Sequence, residues 1–454
     1  MHISIRKGLN IPLRGHPIQG QEVRQLPAPS TIGLDVSPFE GVRLAPLKEV
    51  GTFVHAGEAI VCDKASRTRV FAAPTSGIVK ELIRGEKRRL VKVVIAHQPE
   101  APSLALPRID IESTPPDALL KVLSERGILP HIRVRPVLRM PDPNVLPEAI
   151  FIRALASAPF APSPELELVG REQAFSAGLR ALQRLCPKHV HLVFHVASRC
   201  AALTQAEGVV KHTASGPHPI ESPSIHIEAV HPIFNRDQTI WTLDVSTVIR
   251  MGLSLSRGAF YSDQFVALAG EGIAQEKRGV FRLCRGHPVA DIVKWGAIDC
   301  DRVRLISGDP LTGDRVDREG HIGFFHSVFC ALPKMRQEHR AMFHFLRPYR
   351  KLYTATSAYV AKRSQERYSF QTHKRGEERA FVDPTVYNRV MPLLIPVVPL
   401  IKALLAEDYN AAEELGLLEV SPEDFALPAF ICPSKVEMMA IVAKGMKAYR
   451  AQHY

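Results

Sequence analysis

Pro46-Leu47-Lys48-Glu49-Val50-Gly51-Thr52-Phe53-Val54-His55-Ala56-Gly57-Glu58-Ala59-Ile60, continued through Asp63-Lys64 to Ala73-Pro74-Thr75-Ser76-Gly77-Ile78-Val79, is a string of short apolar runs punctuated by glycines and an Ala-Pro turn. Runs of that length between glycines read as short β-strands. They place an all-β unit over residues 1–97. Outward from it the pattern changes. Residues 98–116 hold five prolines and read as a linker. Asp117 then opens a helix with Leu119, Leu120 and Leu123 on one face. Ala149-Ile150-Phe151-Ile152 reads as a buried strand, Glu172 to Leu185 as an amphipathic helix, and Val190 to Ala197 as the next strand. Strands separated by helices over 117–257 imply a parallel, Rossmann-like layer.

Over 258–330 the pattern is short strands around one short helix: Gln264 to Ala269, Val280 to Cys284 and Arg302 to Ile306 as strands, His287 to Trp295 as helix. The remainder, 331–454, is mixed and then helical. Ser421-Pro422-Glu423-Asp424 and Ser434-Lys435-Val436-Glu437 both read as helix starts, with a serine cap and an acid three residues on. The expected fold class is therefore multidomain, mixing α/β and α+β units.

Composition narrows the function classes. Hydrophobic residues make up 46% of 454 residues and the formal net charge is +12. The most apolar run, Val390 to Ile401, contains three prolines and ends at Lys402, too short for the roughly 20 residues a span needs. Met1-His2-Ile3-Ser4-Ile5-Arg6 alternates like a strand and has no apolar signal region. Both features lead to the expectation of a cytoplasmic chain with at most a peripheral membrane role. Seven cysteines with no C-x-x-C pair fit reduced thiols. The positive charge serves solubility, or attraction to an anionic inner leaflet or acidic partners. Nothing points to nucleic acid.

The cofactor patterns are incomplete. Cys432-Pro433 has the form of an iron–sulfur motif tail, but one thiolate cannot hold a cluster. Gly270-Glu271-Gly272 lacks the third glycine and the following helix of a dinucleotide loop and reads as a hairpin turn. His189, His191 and His195 share one strand face, which is either two imidazoles around a metal or simply a wet face. Thr354-Ala355-Thr356-Ser357 lacks the glycine of a covalent flavin attachment pattern.

The first unit resembles the biotinyl/lipoyl barrel-sandwich domain, with Ser66 where a carrier would have its modified lysine and Lys64 nearby. The whole chain carries a longer resemblance. Lys7-Gly8-Leu9, Arg84-Gly85-Glu86-Lys87-Arg88-Arg89-Leu90, Gly216-Pro217-His218-Pro219, Phe265-Val266-Ala267-Leu268-Ala269-Gly270 and Ile306-Ser307-Gly308-Asp309-Pro310-Leu311-Thr312-Gly313 occur in that order. Tyr387-Asn388-Arg389-Val390-Met391-Pro392, Leu415-Gly416-Leu417-Leu418-Glu419 and Cys432-Pro433-Ser434-Lys435 follow. The series resembles the A subunit of the bacterial sodium-translocating NADH:quinone reductases (Na+-NQR).

That resemblance implies an unmodified barrel-sandwich domain, a Rossmann-like domain and a β-grasp, SLBB-like module. It implies a peripheral subunit on the cytoplasmic face of the inner membrane, in a six-subunit complex that couples NADH oxidation by ubiquinone to sodium export. NADH, flavins and iron–sulfur centres would belong to partner subunits. Ubiquinone would be the substrate, and this chain would bind no cofactor and hold no complete active site. Quinone contacts are expected from Phe39 and Arg43 beside the barrel strands, from Arg133 and Arg135 in the Arg-x-Arg-Pro run, and from His218 as a proton donor. Two other readings remain: a docking subunit that touches no substrate, and a biotin or lipoate carrier modified at Lys64.

Overall fold

The computed structural model describes residues 1–18, 20, 22–334, 353, 355, 366–372 and 378–454. Thr354, Thr356 and Ser357 of the flavin-pattern comparison lie outside the described residues. Strands β1 (His2–Ser4) and β2 (Arg24–Gln25) precede the barrel and do not belong to it. The barrel consists of two facing sheets. One runs β3 (Thr31–Asp35), β9 (Leu90–His97), β8 (Gly77–Arg84), β5 (Phe53–Val54); the other runs β4 (Leu44–Pro46), β6 (Ala59–Asp63), β7 (Val70–Ala72). Their inward residues, among them Leu34, Val54, Ile60, Phe71, Val79 and Ile95, form one core, which Phe324 from the third unit enters. The β6–β7 turn carrying Ser66 is docked. Ser124 Oγ donates to Thr68 O at 2.9 Å and Arg69 Nη1 donates to Pro141 O at 3.0 Å, while Asp63 pairs with Arg69 at its base.

The second sheet has the order β1, β13 (Val210–Ser215), β12 (Val190–His195), β11 (Ala149–Ala154), β14 (Ile240–Asp244), β10 (Arg133–Arg135). All neighbours are parallel except β10, which runs antiparallel along the β14 edge. The first strand reaches across to this sheet: Ile3 pairs with Ala214, not with a barrel strand. Parallel strands buried on both faces read as continuous apolar runs, and β11 obeys this. Ile150 and Ile152 pack with α1 (Pro116–Glu125), α3 (Glu172–Leu185) and α6 (Val245–Gly252). Ala149 and Phe151 pack on the other face with α5 (Pro223–Val230), α8 (Val397–Leu405) and α11 (Met438–His453). The short helices α2 (Glu165–Leu168) and α4 (Ala201–Thr204) sit in the connections. Helices α3 and α6 touch backbone to backbone: a Cβ on Gly178 would stand 2.1 Å from Val248 O, and one on Gly252 1.8 Å from Ala174 O.

The third sheet runs β18 (Asp314–Arg315), β17 (Val303–Ser307), β19 (Val328–Pro333), β15 (Asp263–Ala269), β16 (Gly279–Cys284), β2. Val266, Leu268 and Phe281 cover α7 (Val289–Gly296) on one face. Strands β15 and β16 are antiparallel neighbours, so Gly270-Glu271-Gly272 begins a strand-to-strand connection as expected. In the C-terminal part, α9 (Tyr409–Glu414) and α10 (Ala426–Ile431) join α8 and α11, and the run Val390–Ile401 is a core segment packed on them. Among the described residues no helix is long and apolar enough to cross a membrane.

Two local expectations need correction. Ser434 caps no helix: α11 starts only at Met438, because Lys435 takes a left-handed φ of 56° and Ser434 Oγ donates to Ala380 O at 2.9 Å. The histidine face of β12 is not wet at its centre. His191 is 5% exposed, stacks on Phe151 and forms a 3.0 Å hydrogen bond through Nδ1 with Nε2 of His212, on the face whose Phe151 and Val193 join the core shared with α5 and the C-terminal helices.

Candidate functional site

In chain order the parallel strands run from β11 outward through β12 to β13, and then β14 returns to the opposite side of β11. The connections after β11 and β14 therefore diverge, leaving a crevice at their carboxyl ends, the place where open α/β sheets bind ligands. A cavity of about 240 Å³ lies there. Its walls come from the residues after β11, from the end of β14, from the His218–Pro223 turn after β13, from the third unit at Asp309–Thr312 and Phe325–Val328, and from Glu423 and Asp424.

Arg153, next to last in β11, and Asp244, last in β14, are paired across the register. Asp244 is occupied: its Oδ1 accepts from Thr247 N–H at 2.9 Å and from Ser246 Oγ at 2.9 Å, capping α6. Arg153 is half-buried and makes no hydrogen bond or ion pair with another described residue, although Glu221, Asp244 and Glu423 lie within reach of its charge. It is a guanidinium fork left open on the cavity. Arg133, in β10, is engaged at 2.6 Å with Glu423, and its guanidinium stacks 4.3 Å from the Phe325 ring centroid. The Arg133 charge pulls the Glu423 carboxyl down to about 2. The Glu423 side chain is 45% exposed, so screening keeps the net worth of the pair small.

His218 hangs from the turn after β13, which the N-terminal segment clamps: Leu9 N–H donates to His218 O at 2.8 Å and His218 N–H to Asn10 Oδ1 at 2.8 Å. Its Nδ1 lies 3.2 Å from Ser157 Oγ, and Nε2 has no partner among the described residues. Burial pulls its pKa down to about 4, against the opposing pull of Asp309 and Asp424. At neutral pH it is an uncharged imidazole, able to give a hydrogen bond but not an imidazolium proton. Glu221 holds the loop after β11, accepting from Ser157 N–H at 2.8 Å and Ala158 N–H at 2.9 Å. Asp309 accepts from Leu311 N–H at 2.8 Å, and burial raises its pKa. Burial, with Asp244 nearby, pushes Glu167 up to about 8.

Of the five residues expected to contact a ligand, Arg133 and His218 line this cavity. Arg135 does not. It is 1% exposed and donates to Ser224 Oγ at 2.9 Å and Glu419 O at 2.6 Å, because β10 is an edge strand that α5 and the C-terminal region cover. Phe39 is a barrel core residue, edge-on to Phe71 and Phe324, with its ring centroid 5.7 Å from that of Phe325 behind the cavity wall. Arg43 is exposed on the barrel, where its carbonyl accepts from Lys64 N–H at 2.8 Å. The sequence reading missed Arg153, Asp244, Asp309 and Glu423 as cavity residues. A charged residue interrupting the apolar run Ala149–Ala154 near its end was the available signal for Arg153.

Comparison with known proteins agrees with this architecture. Residues 3–98 match the family described as the NqrA N-terminal barrel-sandwich hybrid domain, and residues 115–260 the NqrA second alpha/beta domain. The A subunit of the Na(+)-translocating NADH-quinone reductase of Chlamydia caviae is 34% identical over 99% of this chain and 97% of its own length. This chain belongs to the NqrA family. Family members from Chlamydia pneumoniae, at 33% identity over 99% of this chain and 97% of the relative, and from Tolumonas auensis, at 30% over 97% and 98%, extend the match to both ends. Among solved structures, a chain of an air-oxidized NAD+-reducing [NiFe]-hydrogenase aligns over 77% of this chain and 72% of that one at TM-score 0.37 and 13% identity, too low to carry an argument. In this NqrA chain, then, the Gly308–Gly313 motif contributes cavity wall, whereas Cys432 is a fully buried core residue whose Sγ is 3.1 Å from Tyr387 Oη.

Proposed function

We propose that this chain is the peripheral NqrA component of a sodium-pumping NADH:ubiquinone oxidoreductase, on the cytoplasmic face of the bacterial inner membrane, and that the switch-point cavity receives the ubiquinone head. The observation that carries the reading is the open Arg153 guanidinium at a half-apolar crevice. A quinone ring needs apolar walls and N–H donors for its carbonyl oxygens. Leu155, Pro219 and Phe325 supply walls, while Arg153 and the neutral His218 supply donors. About 240 Å³ suits one ring-sized head group and falls below the range of drug-sized pockets. A dinucleotide fits the charges poorly: Asp244 already occupies the start of α6, and Glu423 and Asp309 add negative charge. Electrons would come from flavins and iron–sulfur centres of partner subunits, and sodium would cross through other subunits. The 117–257 layer and the 258–330 unit correspond in this reading to the Rossmann-like and SLBB-like modules.

A photoreactive ubiquinone analogue should label peptides containing 153–164 or 218–223. Arg153→Gln should weaken analogue binding about tenfold, the worth of one hydrogen bond to a charged group. Labelling confined to other peptides, with unchanged affinity in Arg153→Gln, would favour the docking subunit that touches no substrate. Carrier chemistry at Lys64 is disfavoured by the docked β6–β7 turn and would show as added intact mass.

A further inference from the structure

Where the barrel, the parallel sheet and the third unit meet lies a second cavity of about 20 Å³, lined by Arg250 of α6, Arg285 after β16, Ser262 and the rings of Phe71, Phe260 and Phe324. The two arginines are 2% and 8% exposed. Each has one hydrogen-bond acceptor, a main-chain carbonyl: Tyr261 O for Arg250 and Phe324 O for Arg285. Neither forms an ion pair among the described residues. Nε and Nη2 of Arg250 and Nε of Arg285 are buried with no acceptor among the described residues. Buried charges are ordinarily paired, and buried donors ordinarily find acceptors.

The carboxylates within electrostatic reach are Asp244 and Glu167. Asp244 uses its Oδ1 to cap α6. Burial holds Glu167 largely protonated at neutral pH. Two guanidiniums thus face one carboxylate, and the local balance lacks a negative charge. The cavity is just above the 10–15 Å³ that a single water requires, so it admits one small species and no phosphate or carboxylate metabolite. The orphaned atoms of the lining residues, all on the two arginines, are N–H donors. A water would need acceptors for two hydrogens, for which the lining side chains offer only the His131 ring and Ser262 Oγ, whereas a halide brings none and supplies the missing charge.

We propose that this junction cavity is a binding site for one monatomic anion of halide size, held between the guanidiniums of Arg250 and Arg285. The anion would join three units through one contact, because α6, the segment after β16 and the barrel strand β7 all line the cavity.

Bromide is the probe. Crystals of the full chain grown in bromide should show an anomalous peak between Arg250 and Arg285. The full chain should also melt at higher temperature in potassium bromide or chloride than in potassium gluconate of equal ionic strength, with a saturable dependence on halide. Arg285→Gln should abolish both effects. Ser262→Val fills the cavity and leaves both arginines in place, so it should abolish them even if Arg285→Gln fails to fold. A bromide peak absent from this position, or a halide response that persists in Ser262→Val, overturns the proposal and identifies an ordinary water or a general salt effect.

Discussion

Replacing Asp424 tests the joint that seats the C-terminal helices beside the cavity. The carboxylate is 4% exposed and accepts from Ser222 Oγ at 2.5 Å, Ser224 Oγ at 2.6 Å, Ser421 N–H at 2.7 Å and Ser421 Oγ at 2.9 Å. Arg135, itself buried, donates to Ser224 Oγ and depends on Asp424 as its leading countercharge. Asp424→Ala removes the two oxygens that accept these four hydrogen bonds, and that countercharge, together. One hydrogen bond to a charged group is worth about 1.5–3 kcal/mol, but these four share partners and do not add. Breaking one side of a buried charged set costs about 3–5 kcal/mol, so we take about 4. Asp424→Asn keeps an acceptor oxygen and the shape and loses the charge, for about 2 kcal/mol. A global midpoint averages over the separate cores, so the local readout is chosen for this joint. Native-state hydrogen exchange over residues 421–431 reads the local opening directly. A cost of about 4 kcal/mol corresponds to about a thousandfold loss of protection, and the asparagine should lie between. Less than about a threefold loss in Asp424→Ala, or equal losses in both variants, would refute the reasoning.

Acid should destabilise the fold through its buried histidines. The pKa values of His191, His218, His226 and His287 are each pulled down to about 4, with burial the leading cause, so the unfolded chain takes up protons first as pH falls below 6.5. Their contribution is full above pH 6.5 and is lost toward pH 4, by up to about 3 kcal/mol for one such group. Denaturation midpoints flat between about pH 7.5 and 4.5 would contradict this. Gly252→Ala should destabilise by about 1–3 kcal/mol despite the better helix propensity of alanine, because its Cβ would stand 1.8 Å from Ala174 O; a raised unfolding midpoint would show that α3 and α6 separate freely. Titration calorimetry of the isolated chain with NADH should show no low-micromolar site, since carboxylates occupy the crevice where a pyrophosphate would need free N–H groups.

What the sequence discloses and what it hides follow from the range of the interactions involved. Periodicity is local, so β11, β12, α1 and α3 are legible from their apolar spacing, and the Ser421–Asp424 start is legible because both partners lie within one turn. The strand order is not local. Nothing in His2–Ser4 announces that it pairs with residues more than 200 positions away, and that pairing is what carries Leu9 and Asn10 to the His218 turn. The cavity suffers most, because its walls come from separated stretches that only the reversal between β11 and β14 brings together. Arg133 and Arg135 show the limit of reading residue type alone. They are two positions apart on one strand, yet one stacks on Phe325 at the crevice and the other is sealed against Ser224 and Glu419. Alternation could assign them to a common face; only the antiparallel placement of β10 at the sheet edge, with Glu423 at one end and α5 over the other, decides that one meets the ligand space and the other holds the joint.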